Sequence, residues 1–190
     1  EKFSVIKSLE SNLNADLAII MLDALSFLLD QDRKLIEKAR DNGRAIIIVV
    51  NKTDLLDKDN KSKIESILKT DPIFVGLPYC FISAKNREGL KHLFDIIYRV
   101  LENVKRNIST NKLNNILRKA MDAKSIPLKG KFRPKIRFVH QGGKNPHVIT
   151  VHGNSLEKIE GSYKRFLVNF YQKKLELLGI TIKLKFITSK

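Results

Sequence analysis

The chain has 190 residues, 43% of them apolar, which is room for one large domain or two small ones and argues against disorder throughout. The 36 Lys and Arg outnumber the 20 Asp and Glu, and the net charge of +16 points to a polyanionic partner, most often nucleic acid. The single cysteine, Cys80, excludes an internal disulfide, no apolar run is long enough to span a membrane, and no secretory signal pattern opens the chain, so a cytoplasmic protein is expected.

Residues 1–104 are close to neutral, so residues 105–190 carry essentially all of the charge. This shift predicts two units with different partners, joined near the polar stretch 105–110. In chain order, Val5, Ile6, Leu9 and Leu13 have helical spacing, and residues 17–22 form a short apolar run. Leu35, Ile36 and Ala39 within the charged stretch 31–40 predict a surface helix ended by Asn42-Gly43. Residues 45–50 are β-branched and predict a buried strand. A helix follows over 57–70 with Ile64, Ile67 and Leu68 on one face, then a loop marked by Pro72 and Pro78, then a short strand at 79–82. Leu90, Leu93, Phe94, Ile97 and Leu101 mark a longer amphipathic helix. Continuous apolar strands alternating with helices predict an α/β unit, a mostly parallel sheet with helices on both faces.

The second unit reads as a small α+β domain. Leu113, Ile116, Leu117, Ala120 and Met121 form a helical stripe, and residues 126–135 are a basic loop with Pro127, Gly130 and Pro134. Strands are expected at 136–140 and 148–151 around a Gly142-Gly143 turn. Ile159, Tyr163, Phe166, Leu167 and Phe170 predict a further helix, closed by Gly179 before an alternating strand at 180–187. The three aromatics of that helix read as core rather than as stacking platforms.

The strand at 45–50 runs into Asn51-Lys52-Thr53-Asp54, an N-K-x-D motif at the carboxyl end of a parallel strand, where ligands bind in open α/β sheets. The Asp54 carboxylate can accept two hydrogen bonds from guanine, at ring N1–H and the exocyclic amine, and adenine offers no matching pair. The Lys52 stem can cover one face of the base, and Asn51 can tie this loop to a neighbour. The alternative is a simple turn with Asp54 capping the next helix. About thirty residues on, Ser83-Ala84-Lys85 follows the next strand. There the Ala84 N–H could donate to guanine O6 and Lys85 could cover the other face, or Ser83 could be only a polar cap. Two such motifs at successive strand ends, in this order, favour a guanine site.

These motifs resemble the back half of a translation-factor-type GTPase domain. The segment E-K-F-S-V-I at 1–6, Ala15-Asp16 and Asn51–Asp54 are similar to the second GTPase domain of the double-Era-like Der/EngA family. K-I-R-F-V-H-Q-G at 135–142, Asn145-Pro146 and S-Y-K-R-F-L-V-N at 162–169 resemble that family's C-terminal KH-like domain. The resemblance implies the C-terminal half of a GTPase domain over 1–108 and a basic KH-like domain over 109–190. It further implies GTP or GDP as ligand, a role in ribosome biogenesis at the large subunit, and upstream GTPase domains of the same parent chain as partners.

The chain contains no G-x-x-x-x-G-K-[ST] to cradle phosphates and no D-x-x-G. In the resembled family these elements and the Mg²⁺ site lie upstream of the position matching Glu1. A fragment holding only the base-binding half of the site is therefore expected, without an initiator Met and without GTP hydrolysis of its own.

Lys129, Lys131, Arg133, Lys135 and Arg137 recur every second residue, which predicts one basic face where the chain is extended. Arg118, Lys119, Lys124, Lys144, Lys164 and Arg165 add to the field, and together they predict contact with ribosomal RNA through phosphates. A merely solubilising face is the alternative. The unit lacks the G-x-x-G clamp of a strand-capturing KH domain, so structured RNA bound by shape and charge is favoured. His140, His147 and His152 lack the companion ligands of a metal site. Cys80 is expected to be buried and inert. The competing readings are an RNA-binding or protein-interaction module on a non-catalytic α/β scaffold, and a nucleic-acid-processing enzyme with metal on Asp54, Asp57 and Asp59, a set that reads better as a base contact plus a helix start.

Overall fold

The computed structural model describes residues 15–128, 134–144 and 146–188. The segment at 1–6, the helical spacing through Leu13, the loop cations Lys129, Lys131 and Arg133, and Asn145 lie outside the described residues. The chain divides into two compact units, residues 1–104 with 177–180, and residues 105–176 with 181–190.

The first unit is built on three parallel strands in the order β1 (Leu17–Asp23), β2 (Ala45–Asn51), β3 (Tyr79–Phe81). Every residue from Ala45 to Val50 is buried, as a central strand covered on both faces requires. The β1 run is not continuous core: Ala18, Ile20 and Leu22 are buried while Ile19 and Met21 are exposed, because this strand is packed on one face only. Helix α1 (Asp30–Asp41) buries Ile36 and Ala39 against the sheet. Gly43, at φ 71°, closes it in the left-handed turn that favours glycine, with the Arg44 N–H donating to the Ala39 carbonyl at 3.1 Å.

Helix α2 (Lys58–Thr70) is capped by Asp57, whose carboxylate accepts the Asn60 N–H at 2.7 Å. Asp57, not Asp54, therefore starts this helix. Ile64 and Leu68 are buried, while Ile67, at the edge of the same face, is left exposed. Helix α3 (Leu90–Lys105) buries Leu93, Ile96, Val100 and Val104, which leaves Phe94 outside. The Arg33 guanidinium meets the Asp71 carboxylate at 2.7 Å and holds it below the usual aspartate range, joining α1 to the turn before β3. The edge of β2 beyond β3 is taken by a distant segment: the Ile46 N–H donates to the Gly179 carbonyl at 2.9 Å.

The second unit runs α4 (Thr110–Ala123), β4 (Lys135–Lys144), β5 (His147–Asn154), α5 (Gly161–Leu175), β6 (Ile182–Thr188). Its sheet has the order β4-β5-β6, antiparallel then parallel. Gly142 and Gly143 lie inside β4 rather than forming a turn. A Cβ on Gly142 would stand 2.3 Å from the Thr150 Oγ1, so the pairing itself demands glycine there. Asn114 of α4 serves the free edge of β4, accepting the Val139 N–H at 3.0 Å and donating to its carbonyl at 2.8 Å. Gln141 accepts the Ile108 N–H at 2.9 Å, which pins the start of this unit.

Tyr163, Leu167, Tyr171 and Leu175 face the core, and burial pushes the Tyr171 hydroxyl well above the usual tyrosine range. Of the three aromatics expected in the core, Tyr163 is buried and Phe166 and Phe170 are only half-buried, roofed by Lys124 at 5.5 Å and Lys174 at 5.9 Å. The Tyr171 hydroxyl donates to the buried Leu113 carbonyl at 3.1 Å. Tyr171→Phe removes this bond but leaves the carbonyl its partner within the helix, and a loss of about 0.5–1.5 kcal/mol is expected in urea unfolding. Tyr163→Phe, whose partner is the Lys124 carbonyl in a less enclosed place, should lose less.

Candidate guanine site and basic surfaces

Parallel pairing sets Asp23 beside Asn51 at the carboxyl ends of β1 and β2, and β3 ends next to them. The loops after β2 and β3 are then stitched together. The Thr53 N–H donates to the Ile82 carbonyl at 3.2 Å, and the Ala84 N–H donates to the Asn51 Oδ1 at 3.0 Å. Asn51 thus joins the two motif loops, and its amide also reaches the Met21 Sδ at 3.6 Å. The Ala84 N–H is held by Asn51, so it meets a base oxygen only as a shared hydrogen.

Lys52 sits at φ 65°, a left-handed conformation that costs a non-glycine residue roughly 1–2 kcal/mol. Its ammonium lies 2.5 Å from the Asp23 carboxylate, which also accepts the Leu25 N–H at 2.9 Å. This Lys52 contact, with the Leu25 bond second, holds the Asp23 carboxyl below the usual range. Asp23 is the residue that the motif analysis missed. Its only sequence signal is a carboxylate ending an apolar run, and its role depends on register.

Asp54 lies in a single 3-10 turn, Thr53–Leu55, with its side chain exposed. It makes no hydrogen bond or ion pair among the described residues, so it is an open acceptor at the mouth of the strand ends. Lys85 is likewise exposed. Ser83 is different: it is fully buried, and its Oγ accepts the Asn86 N–H at 3.1 Å while its backbone pairs with Glu88. Ser83 shapes the loop that carries Ala84 and Lys85, and it does not face outward. These groups suit a guanine edge by the chemistry of the set, one open carboxylate and a lysine stem on a loop fixed to its neighbour.

The basic residues of the second unit do not form one array. A register shift between Ile136 and Phe138 places a bulge at Arg137, which breaks the two-residue period of the expected cationic face. Lys135, Arg137 and Lys144 remain exposed along β4, and Arg118 and Lys119 are exposed on α4, where Arg118 bonds Asn115. Lys164 and Arg165 of α5 line a groove of about 400 Å³ with Val168, Asn169, Leu184 and Phe186, and the Lys164 ammonium lies 5.0 Å over the Phe186 ring. No group of three or more His, Cys, Asp or Glu able to hold a metal is present among the described residues. His147 is buried next to Gln141, apart from His140 and His152, which stack on one another. Cys80 is buried, and burial pushes its thiol up to about 11. No helix among the described residues is long and apolar enough to cross a membrane.

Residues 5–103 match the family described as the GTP-binding domain of elongation factor Tu, and residues 107–186 match the C-terminal KH-domain-like family of EngA bacterial GTPase enzymes. The chain is 38% identical over 190 residues to the GTPase Der of Acidovorax ebreus and 37% identical over 187 residues to that of Shewanella loihica. It aligns over 100% and 98% of its own length but spans only 42% and 38% of theirs. Among solved structures, that of Era in complex with MgGDPNP and a segment of 16S ribosomal RNA aligns over 94% of this chain and 66% of that one. Its TM-score is 0.43 at 20% identity.

The Asp23–Lys52 contact has a pH signature. Because the Asp23 carboxyl is held low in the folded state, the pair stabilises the fold above the ordinary aspartate range, and that contribution fades as pH falls through the lowered value. In a carboxyl NMR titration Asp23 should titrate below a normal aspartate, and Lys52→Ala should move it upward.

Proposed function

Because the chain belongs to the Der (EngA) family, joining an elongation-factor-Tu-type GTP-binding domain to an EngA-type KH-like domain, we propose that it recognises a guanine nucleotide with one unit and ribosomal RNA with the other. The observation that carries the first half is the Asn51–Ala84 bond, which fixes the N-K-x-D loop and the Ser83-Ala84-Lys85 loop side by side. Asp54 reads the guanine Watson–Crick edge, Lys52 and Lys85 cover the base, and Asn51 holds the frame. GTP or GDP is the ligand class. Phosphate and Mg²⁺ contacts require a phosphate loop, and none occurs in these 190 residues, so these residues by themselves supply base selection and no hydrolysis.

The second unit carries 20 basic and 4 acidic residues, an electrostatic footprint suited to RNA phosphates. We place the protein in ribosome biogenesis, in the cytoplasm, acting at the large subunit beside further GTPase domains of a longer parent. Lys164 and Arg165 at their groove, Lys135, Arg137 and Lys144 along β4, and Arg118 and Lys119 on α4 supply the phosphate contacts; Lys129, Lys131 and Arg133 extend the same proposal.

Two measurements test this reading. In a chain that also carries a phosphate-binding loop, Asp54→Ala should weaken GDP binding by about 10- to 100-fold, following the ~1.5–3 kcal/mol of hydrogen bonds to a charged group, and leave ADP binding unchanged. Equal affinity for GDP and ADP in the parent chain would leave only a scaffold without base selection. For RNA, Lys164→Gln with Arg165→Gln should reduce the slope of log affinity against log salt by roughly 1 per charge. An unchanged slope removes that groove from the RNA surface.

A further inference from the structure

The sheet of the second unit has a face that none of the preceding assignments uses. Val139 and Val151 pair across β4 and β5 in the core. Their neighbours Phe138 and His152 pair on the opposite side, with His140 two residues along the same strand. The Phe138 and His152 rings are stacked at 4.5 Å with planes 8° apart, and His152 and His140 at 5.0 Å and 21°. Phe138 is nevertheless 47% exposed, and Ile187, which pairs with His152 from β6, is 39% exposed. The next row across the sheet is His140, Thr150 and Lys185. A large exposed ring stacked on His152, with His140 beside the pair at 6.4 Å from Phe138 and near-parallel to it, is an unusual thing to leave on a sheet surface.

Charge indicates what covers it. Strands β4, β5 and β6 together hold Lys135, Arg137, Lys144, Lys183 and Lys185 and not one Asp or Glu. An aromatic surface in a purely cationic sheet matches a ligand that is both polyanionic and π-faced. A base laid against Phe138 continues the ring stack while its phosphates meet the lysines at the strand ends, the combination by which single-stranded nucleic acid is held without sequence readout. We propose that the Phe138–His152–His140 stack is a platform for unpaired RNA bases, on the sheet face opposite the helices. This rests on the RNA reading of the second unit and adds its ligand class, an unpaired segment in place of structured RNA held by shape alone.

The test uses the whole chain, fluorescence anisotropy, and two RNA probes of equal length, an unstructured single strand and the same backbone with abasic positions. Phe138→Ala should weaken the single strand about tenfold, leave the abasic probe unaffected, and leave the salt slope as it was. Phe138→Trp should retain affinity, and because the chain has no other Trp its fluorescence should be quenched by the single strand and not by the abasic probe. Equal weakening of both probes would mean that Phe138 only supports the fold, and would overturn the platform. Unchanged affinity with a change in the sedimentation of the RNA-free chain would assign the face to a protein contact, and would also overturn it. If the unsubstituted chain binds neither probe, the RNA reading falls and the platform with it. If Lys164→Gln with Arg165→Gln lowers the salt slope while Phe138→Ala changes nothing, the RNA reading stands and the platform alone falls.

Discussion

Strand β2 is hydrogen-bonded on both edges and buried on both faces, and the candidate base site follows from that placement. Its register pairs Asp23 with Asn51 and Val50 with Phe81, so the three strands end nearly level. Asp23, Asn51 and Ile82 are therefore delivered to one edge of the sheet, and short bonds finish the arrangement. Asn51 spends its carbonyl on the Ala84 N–H, and Lys52 accepts a left-handed backbone while its ammonium meets Asp23. Asp54 is left outside this web as an open carboxylate. The sheet and its loops are held by several bonds each, and the Asp54 side chain is held by none among the described residues.

The two units divide the chemistry by charge. The first is nearly neutral and offers directional acceptors, which suits discrimination between two purine edges. The second carries the whole net charge and offers many cations on different elements, which suits affinity for a polyanion. Asn114 and Gln141 do for this unit what Asn51 does for the other, using one amide side chain to tie a strand to a distant segment.

The parts of this arrangement legible in the sequence are those set by local pattern. Residues 45–50 read as a buried strand because a central parallel strand must be apolar on both faces, and Asn42-Gly43 read as a helix end because Gly43 adopts the left-handed turn. The N-K-x-D and Ser-Ala-Lys motifs were visible as spacing, together with the strand ends that carry them. What escaped depends on register and long-range contact. Asp23 looked like the end of an apolar run until pairing set it beside Asn51. Gly142-Gly143 looked like a turn, though both lie within β4 and a side chain at Gly142 would run into Thr150 on the facing strand. The alternation of Lys135 and Arg137 was cut by a bulge that no periodicity announces, and Phe138, His140 and His152 became one stack only once β4 met β5.

The central claim is that the stitched loops after β2 and β3 form a guanine-selective base site. Amide NMR spectra of the chain titrated with GMP and with AMP at matched millimolar concentrations address it directly. The account predicts that GMP shifts the backbone amides of Thr53, Asp54, Ala84 and Lys85, that AMP leaves them in place, and that Asp54→Ala abolishes the difference. Equal shifts with both nucleotides, or a guanine response mapped to another part of the chain, would contradict it.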